Sequence, residues 1–186
     1  SSDNGTTFNT GGVQSEFFNL TGGLRGRKQD LYEGGIRVPF IARWPGKIKA
    51  GTTTNQISTQ YDLMATLSDV LIAKPMPNDG ISFLPTLLGQ LQKQKQRAYL
   101  YFEFVEKTGQ VAVRIGKWKG VKSDMKKNKN ATWEVYDLEN DLAETTNVAA
   151  QHPDLVKRMD EIVKKEHLRS HLKEWEFIDK RFVERN

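Results

Sequence analysis

Apolar and polar positions alternate with different periods along this chain, and the period predicts its elements. Between Gln60 and Ile72, the residues Leu63, Met64, Leu67, Val70 and Leu71 recur at helical spacing and predict a helix with one apolar face. A second stripe, Leu155, Val156, Met159, Ile162 and Val163, predicts a helix from Pro153 to His167. Pro153 suits its first turn, Asp154 its positive end, and Lys164 and Lys165 its negative end. After Ala98 the period becomes two: Ala98, Leu100, Phe102 and Phe104 alternate with Tyr99, Tyr101 and Glu103. Val111, Val113 and Ile115 alternate likewise. Gly116 and Lys117 fit a two-residue hairpin turn, and Trp118 to Lys122 its return strand. With Trp133 to Leu138 as a fourth strand, this order predicts a small antiparallel sheet with the last helix covering one face. Val38 to Trp44 also reads as a strand, with Val38, Phe40, Ala42 and Trp44 on one face and Pro45-Gly46 as its stop. Gly89 to Gln96, GQLQKQKQ, is polar and low in complexity and reads as a linker.

Composition narrows the class. The 186 residues carry 37% hydrophobic side chains, which fits a soluble globular chain. No apolar run approaches the roughly 20 residues of a membrane helix. A net charge of +5 suits anionic substrates or polyanionic polymers, and is too mild to indicate nucleic acid. Cysteine is absent, which excludes disulfides, thiolate metal sites and a cysteine nucleophile within the chain. Lys117, Lys119, Lys122, Lys126, Lys127 and Lys129 lie close together around Trp118. They read either as a polyanion-binding patch or as a solvated hairpin whose lysines protect a sheet edge, and the second is the commoner arrangement.

Candidate chemistry concentrates near the start. Leu24-Arg25-Gly26-Arg27-Lys28 is a basic, glycine-interrupted loop able to bring cations to an anion, although Arg25 and Arg27 could instead pair with carboxylates such as Asp30. Gly34-Gly35 marks a tight backbone position. Asp3-Asn4-Gly5 taken alone is a turn, but Asp3 and Asn4 also offer adjacent hard oxygen donors of the kind that Ca²⁺ or Mg²⁺ prefers. Ser82 has no His or Asp at a spacing that would mark a triad and reads as a helix cap. His152, His167 and His171 lie in or beside the last helix and read as surface or packing residues.

Lys28, followed by Glu33-Gly34-Gly35-Ile36-Arg37-Val38-Pro39 and then Trp44-Pro45-Gly46, resembles the sulfatase family. Asp3-Asn4-Gly5, Asp62 with Thr66-Leu67, Asp79-Gly80-Ile81-Ser82-Phe83-Leu84-Pro85, and Trp133 to Leu138 with Asp141, Glu144, Asn147 and Pro153 are similar to further family signatures. Ala65 and Leu142 depart from it where Pro is usual, and Phe83 where Leu is usual.

The resemblance implies that residues 1–90 end the α/β catalytic domain of an alkaline-phosphatase-like fold. Residues 91–186 then form the C-terminal subdomain, a four-stranded antiparallel sheet plus helix. It implies hydrolysis of a sulfate ester, with Lys28 as a catalytic and substrate-binding cation and Asp3 and Asn4 as ligands of Ca²⁺ (Mg²⁺ being possible). The formylglycine nucleophile would lie outside this chain, since no Cys/Ser-x-Pro-x-Arg occurs in it. The expected partners are a sulfated small molecule or glycan and the N-terminal part of the same catalytic domain, with no nucleic acid and no membrane. The expected location is secreted or periplasmic, with any signal peptide upstream. Glu33 and Arg37 are expected to support the loop through buried ionic contacts, and Glu103 is a further candidate for substrate recognition. The rival readings are a phosphodiesterase or phosphonate hydrolase of the same superfamily, and a polyanion-binding module using the lysine hairpin.

Overall fold

A computed structural model describes residues 1–74, 77–128 and 130–179. The chain packs as two compact units, Ser1 with Pro39–Arg97, and Ser2–Val38 with Ala98–Asn186. Packing therefore groups the opening segment with the C-terminal sheet, whereas the division near residue 90 follows composition and resemblance.

The larger unit contains the predicted meander. Strands β1 (Leu100–Phe104), β2 (Gln110–Ile115), β3 (Trp118–Lys122) and β4 (Glu134–Asp137) form an antiparallel sheet in the order β1-β2-β3-β4. Ile115 pairs with Trp118 across the two-residue turn at Gly116 and Lys117, as the spacing requires. Register fixes two faces. Tyr101 opposes Val113, Val113 opposes Gly120, and Gly120 opposes Val135, so these residues share one face. Phe102, Ala112 and Val121 share the other.

The first face is covered by the long helix α4, Pro153–Glu166, numbered after three shorter helices: α1 (Glu33–Ile36), α2 (Asp62–Val70) and α3 (Leu84–Leu87). Val111, Val113, Trp133, Val135, Met159, Ile162, Val163 and Phe177 make its apolar core. Gly120 allows this packing, because a Cβ there would lie 2.3 Å from the Met159 sulfur. Asp160 of α4 accepts from the Trp133 indole (2.8 Å) and from Lys122 (3.2 Å). Phe177 docks the tail onto this core, and the tail beyond Asp179 lies outside the described residues. The second face is covered by the segment that carries Lys28: Leu31 packs with Ala112 and Val121, flanked by Tyr32, Ile36, Phe102 and Phe104.

The smaller unit holds α2 and α3. The predicted helix forms, but its buried residues are Asp62 and Thr66. Asp62 accepts from the Thr59 and Ile81 amides and pairs with Arg97, while Thr66 accepts from the Phe83 amide. These bonds turn the polar side inward, and Met64 (60%) and Leu71 (74%) stay exposed. The strand expected over residues 38–44 does not form: a ladder needs a partner, and none pairs with it among the described residues. The expected linker, residues 89–96, is mostly exposed and is anchored at one buried residue. Gln94 is buried, accepts from the Thr86 amide and hydroxyl and donates to the Ser82 carbonyl. Ser82 accepts from the Leu84 amide (3.3 Å), but the cap position of α3 is Phe83, with no side-chain cap bond, so the capping role expected of Ser82 is not met. No helix among the described residues is long and apolar enough to cross a membrane.

Candidate functional site

The opening segment meets the Lys28 loop at glycine. Gly5 N–H donates to the Gly35 carbonyl (2.8 Å), and Lys28 N–H donates to the Thr6 carbonyl (2.7 Å). A Cβ on Gly5 would lie 1.9 Å from the Gly34 carbonyl oxygen, and one on Gly34 would lie 2.2 Å from the Gly26 carbonyl oxygen. Only hydrogen at these positions lets the three backbones close up. The structure thus brings Asp3-Asn4 and Lys28 onto one tied backbone frame.

The cations of the loop differ in state. Arg25 stacks its guanidinium 3.9 Å from the Tyr32 ring centroid and donates to Glu134 (3.0 Å), the Tyr136 hydroxyl (2.5 Å) and the Glu144 carbonyl (3.2 Å). Burial first, and then hydrogen bonding to Glu134, pushes the Tyr32 phenol up to about 12. Arg27 pairs with Glu16 at 2.7 Å. Hydrogen bonds from Asn9 and then Arg27 hold the Glu16 carboxyl down to about 2. Asp30, offered above as a partner for the arginine side chains, pairs with Lys107 (2.8 Å) and accepts the Arg27 backbone N–H (3.0 Å). Lys28 differs from both arginines: it is exposed, and among the described residues no carboxylate pairs with its side chain.

The backbone around Lys28 is clamped from the sheet. Gln29 is held at φ +74°. The Gln110 amide of β2 donates to the Gln29 carbonyl (2.9 Å) and accepts from the Leu31 amide (3.3 Å), and the Gln29 side chain donates to Glu106 (2.8 Å). Below the loop lies a buried ion triad. Lys119 of β3 reaches Glu33 Oε1 and Glu144 Oε1, each at 2.9 Å, with exposures of 1%, 2% and 0% for Lys119, Glu33 and Glu144. Glu144 Oε2 accepts the Glu33 backbone N–H (2.6 Å), and Glu33 Oε2 pairs with Arg37 (3.2 Å). Burial pushes both carboxyls up. Lys119 and Arg37 overcome it at Glu33, whose net displacement is downward; at Glu144 burial prevails over Lys119 and the Glu33 backbone N–H, and the carboxyl stays above its ordinary range. Leaving one member of such a cluster unpaired costs about 3–5 kcal/mol.

Glu33 and Arg37 therefore make the supporting contacts expected of them. Lys119 is the residue that sequence reading placed wrongly, among solvated lysines. The alternation of β3 carries the missed signal, because Lys119 shares a face with Val121, and an apolar Val121 implies a covered face. The other lysines do not assemble a patch either: Lys117 pairs with Asp137, Lys122 with Asp160, and Lys126 donates to the Glu174 carbonyl. Lys129 lies outside the described residues. Glu103 is also corrected. Strand parity turns it away from Phe102 and Phe104 onto the α4 face, where it binds the Tyr101 hydroxyl and His167 (2.9 Å). His167 also lies 3.2 Å from Glu176, and His152 stacks on Trp118 (4.5 Å). These two histidines serve packing.

Asp3 and Asn4 fit part of a hard-cation site. Asp3 is exposed, with the Ser2 hydroxyl near it at 3.5 Å, and among the described residues no donor binds the Asn4 side-chain oxygen. Two oxygens fall short of the six to eight that Ca²⁺ takes. Among the described residues, no group of three or more His, Cys, Asp or Glu completes a site.

The chain belongs to the family described as N-sulphoglucosamine sulphohydrolase, C-terminal, whose model matches residues 27–175. It is 32% identical over 181 residues to an N-acetylgalactosamine-6-O-sulfatase of Bacteroides thetaiotaomicron, covering 87% of this chain and 34% of that protein. It is 39% identical over 103 residues to human arylsulfatase A, covering 53% and 20%. A solved Bacteroides thetaiotaomicron 6S-sulf structure, from work on the metabolism of multiple glycosaminoglycans, superposes with a TM-score of 0.66 at 31% identity, covering 88% of this chain and 37% of that one. The mixed α/β architecture is accordingly that of sulfatases with the alkaline-phosphatase-like fold. The chain spans about a third of the length of the bacterial relative and a fifth of the human one.

Proposed function

We propose that the intact protein hydrolyses sulfate esters and that this chain supplies one side of its active site. The observation that carries this reading is the contrast within one loop: Arg25 and Arg27 are bound to carboxylates, and Lys28 between them and the glycine turn is left for an external anion. Lys28 binds the sulfuryl oxygens and stabilises charge that develops during ester cleavage. Asp3 and Asn4 would supply two oxygen ligands to a divalent cation, Ca²⁺ or alternatively Mg²⁺, which would add positive charge for binding an anionic group. The formylglycine nucleophile lies outside this chain. A sulfated glycan or an aryl sulfate is the substrate, supported by relatives named N-acetylgalactosamine-6-O-sulfatase, arylsulfatase A and ulvan-active sulfatase. With the family model and these relatives all sulfatases, the phosphoryl-transfer alternative is not favoured. The paired state of the lysines removes the ground for a polyanion-binding module.

The N-terminal part of the same catalytic domain is the protein partner. Met64, Leu67 and Leu71 of the α2 region, with Phe40 and Ile41, expose apolar surface in the smaller unit, and the relatives are about three times as long as this chain. A secreted or periplasmic location accompanies this reading.

The test is turnover of the intact protein on an aryl sulfate and on sulfated monosaccharides, beside the 186-residue chain alone. The chain alone is expected to hydrolyse neither. Absence of sulfate release by the intact, metal-loaded protein on every substrate would overturn the proposal. Asp3→Ala in the intact protein is expected to lower bound metal, and unchanged metal content would remove Asp3 from the site.

A further inference from the structure

Lys119 takes no part in the chemistry above, yet it is one of the most deeply buried side chains of the larger unit, and it is charged. A buried ion cluster is a poor way to gain stability, since apolar residues of similar volume commonly do as well or better. What it provides is direction: the Lys119–Glu33 bond and the Glu33 N–H bond to Glu144 Oε2 fix distance and angle, which apolar contact does not.

We propose that Lys119 is a positioning residue that sets the place of Lys28, Asp3 and Asn4 through the Glu33–Lys119–Glu144 triad. The path is continuous. β3 is an interior strand, with Lys119 opposite Arg114 on one side and Tyr136 on the other, so its backbone is fixed by two neighbours. Lys119 holds Glu33 and Glu144 at 2.9 Å each, and Glu144 also accepts the Glu33 backbone N–H, so α1 is gripped at its first residue by side chain and main chain together. From α1 two backbone bonds lead to the site. Gly34 N–H donates to the Arg25 carbonyl (2.7 Å), which sets the Lys28 loop. The Gly35 carbonyl accepts from Gly5 N–H, which sets Asp3-Asn4. The glycine contacts leave no slack in these bonds. The catalytic half of this inference rests on the sulfatase reading of the site; the mechanical half does not.

The mechanical half is tested in the intact protein by amide hydrogen exchange. In Glu144→Gln, which keeps the Glu33–Lys119 pair and an acceptor for Glu33 N–H, exchange of the Gly5 and Lys28 amides is expected to accelerate about tenfold more than that of the Val113 amide of the sheet, because local opening is freed without melting β2. Wild-type exchange at Gly5 and Lys28 in a folded triad variant would overturn the proposal. In the intact protein, Glu144→Gln is expected to lower kcat by up to about a hundredfold, the cost of misplacing a group by about an ångström. KM and melting temperature should change little. A fall in melting temperature with kcat unchanged would make the triad a stabiliser only. If the wild-type protein released no sulfate while the exchange pattern held, the functional reading would fall and the mechanical link would stand.

Discussion

The two faces of the sheet are built from different chemistry. Toward α4 there are eight buried apolar residues in one cluster, with the Lys122–Asp160 pair at its edge and the Glu103–His167–Glu176 group beside it. Toward the Lys28 loop there are three, Leu31, Ala112 and Val121, and beside them a buried lysine with two buried carboxylates. Apolar burial is non-directional and scales with area, so the α4 face holds the unit together without specifying positions finely. The loop face has less apolar area and more directed bonds: Gln110 on the backbone beside Lys28, Arg25 on Glu134 and Tyr136, Lys119 on Glu33 and Glu144. One face supplies stability and the other supplies geometry, and the proposed site lies on the second.

The largest effect that could break this comparison is at Lys119. Lys119→Met leaves two carboxylates buried without their cation and should destabilise the chain by about 3–5 kcal/mol in urea unfolding. A loss below about 1 kcal/mol, the range of an exposed pair, would show that the triad is not buried as described. Next comes Lys28, where function and stability should separate. Lys28→Ala in the intact protein should slow sulfate release roughly a hundredfold, on the order of 3 kcal/mol in the barrier. It should shift stability by no more than about 0.5 kcal/mol, as at other exposed positions. Lys28→Arg should restore this only in part, because a planar fork does not replace a point charge. Near-normal turnover of Lys28→Ala would remove it from the chemistry.

On the opposite face, Ile162→Val should cost about 1 kcal/mol and leave turnover unchanged. A change in kcat there would blur the division of labour. The smallest effect is at Glu16, an exposed carboxylate held by Asn9 and Arg27. Its value is depressed, so its contribution is present above the ordinary 4.5 and is lost as pH falls through about 2. The Glu16 carboxyl carbon should titrate near that pH by NMR, and Asn9→Ala should move the midpoint upward. A midpoint at the ordinary value in the wild type would mean that the Asn9–Glu16–Arg27 clamp is open in solution.

The sheet was legible because alternation is a local property. Each of Leu100, Phe102, Val111 and Val113 declares its face by parity, and Gly116 marks the turn between two such runs. The α4 stripe was legible for the same reason. Residues 38–44 misled because their alternation states a capacity to pair, and a partner strand must realise it. In α2 the apolar stripe was read correctly, but hydrogen bonds at Asp62 and Thr66 decide which side faces inward. At the site, Asp3, Asn4 and Lys28 came from resemblance, and the structure adds the backbone ties that join them. Parity in β3 marks the covered face of Lys119, but its partners were hidden, because ion pairs between positions 33, 119 and 144 leave no periodic trace in a sequence. Only the tertiary contact reveals that three charges scattered along the chain share one pocket.

The opposite displacements of Glu33 and Glu144 have a consequence for proton uptake. Glu33 is depressed, so forming the fold releases protons there, and its stabilising share disappears as pH falls through its lowered value. Glu144 is raised, so forming the fold takes protons up, and its share is present in acid and disappears as pH rises through its raised value. Around the ordinary carboxyl value of 4.5 the two slopes oppose each other. The triad thus works as an internal compensator: acid weakens its grip on one carboxylate while relieving the burial of the other.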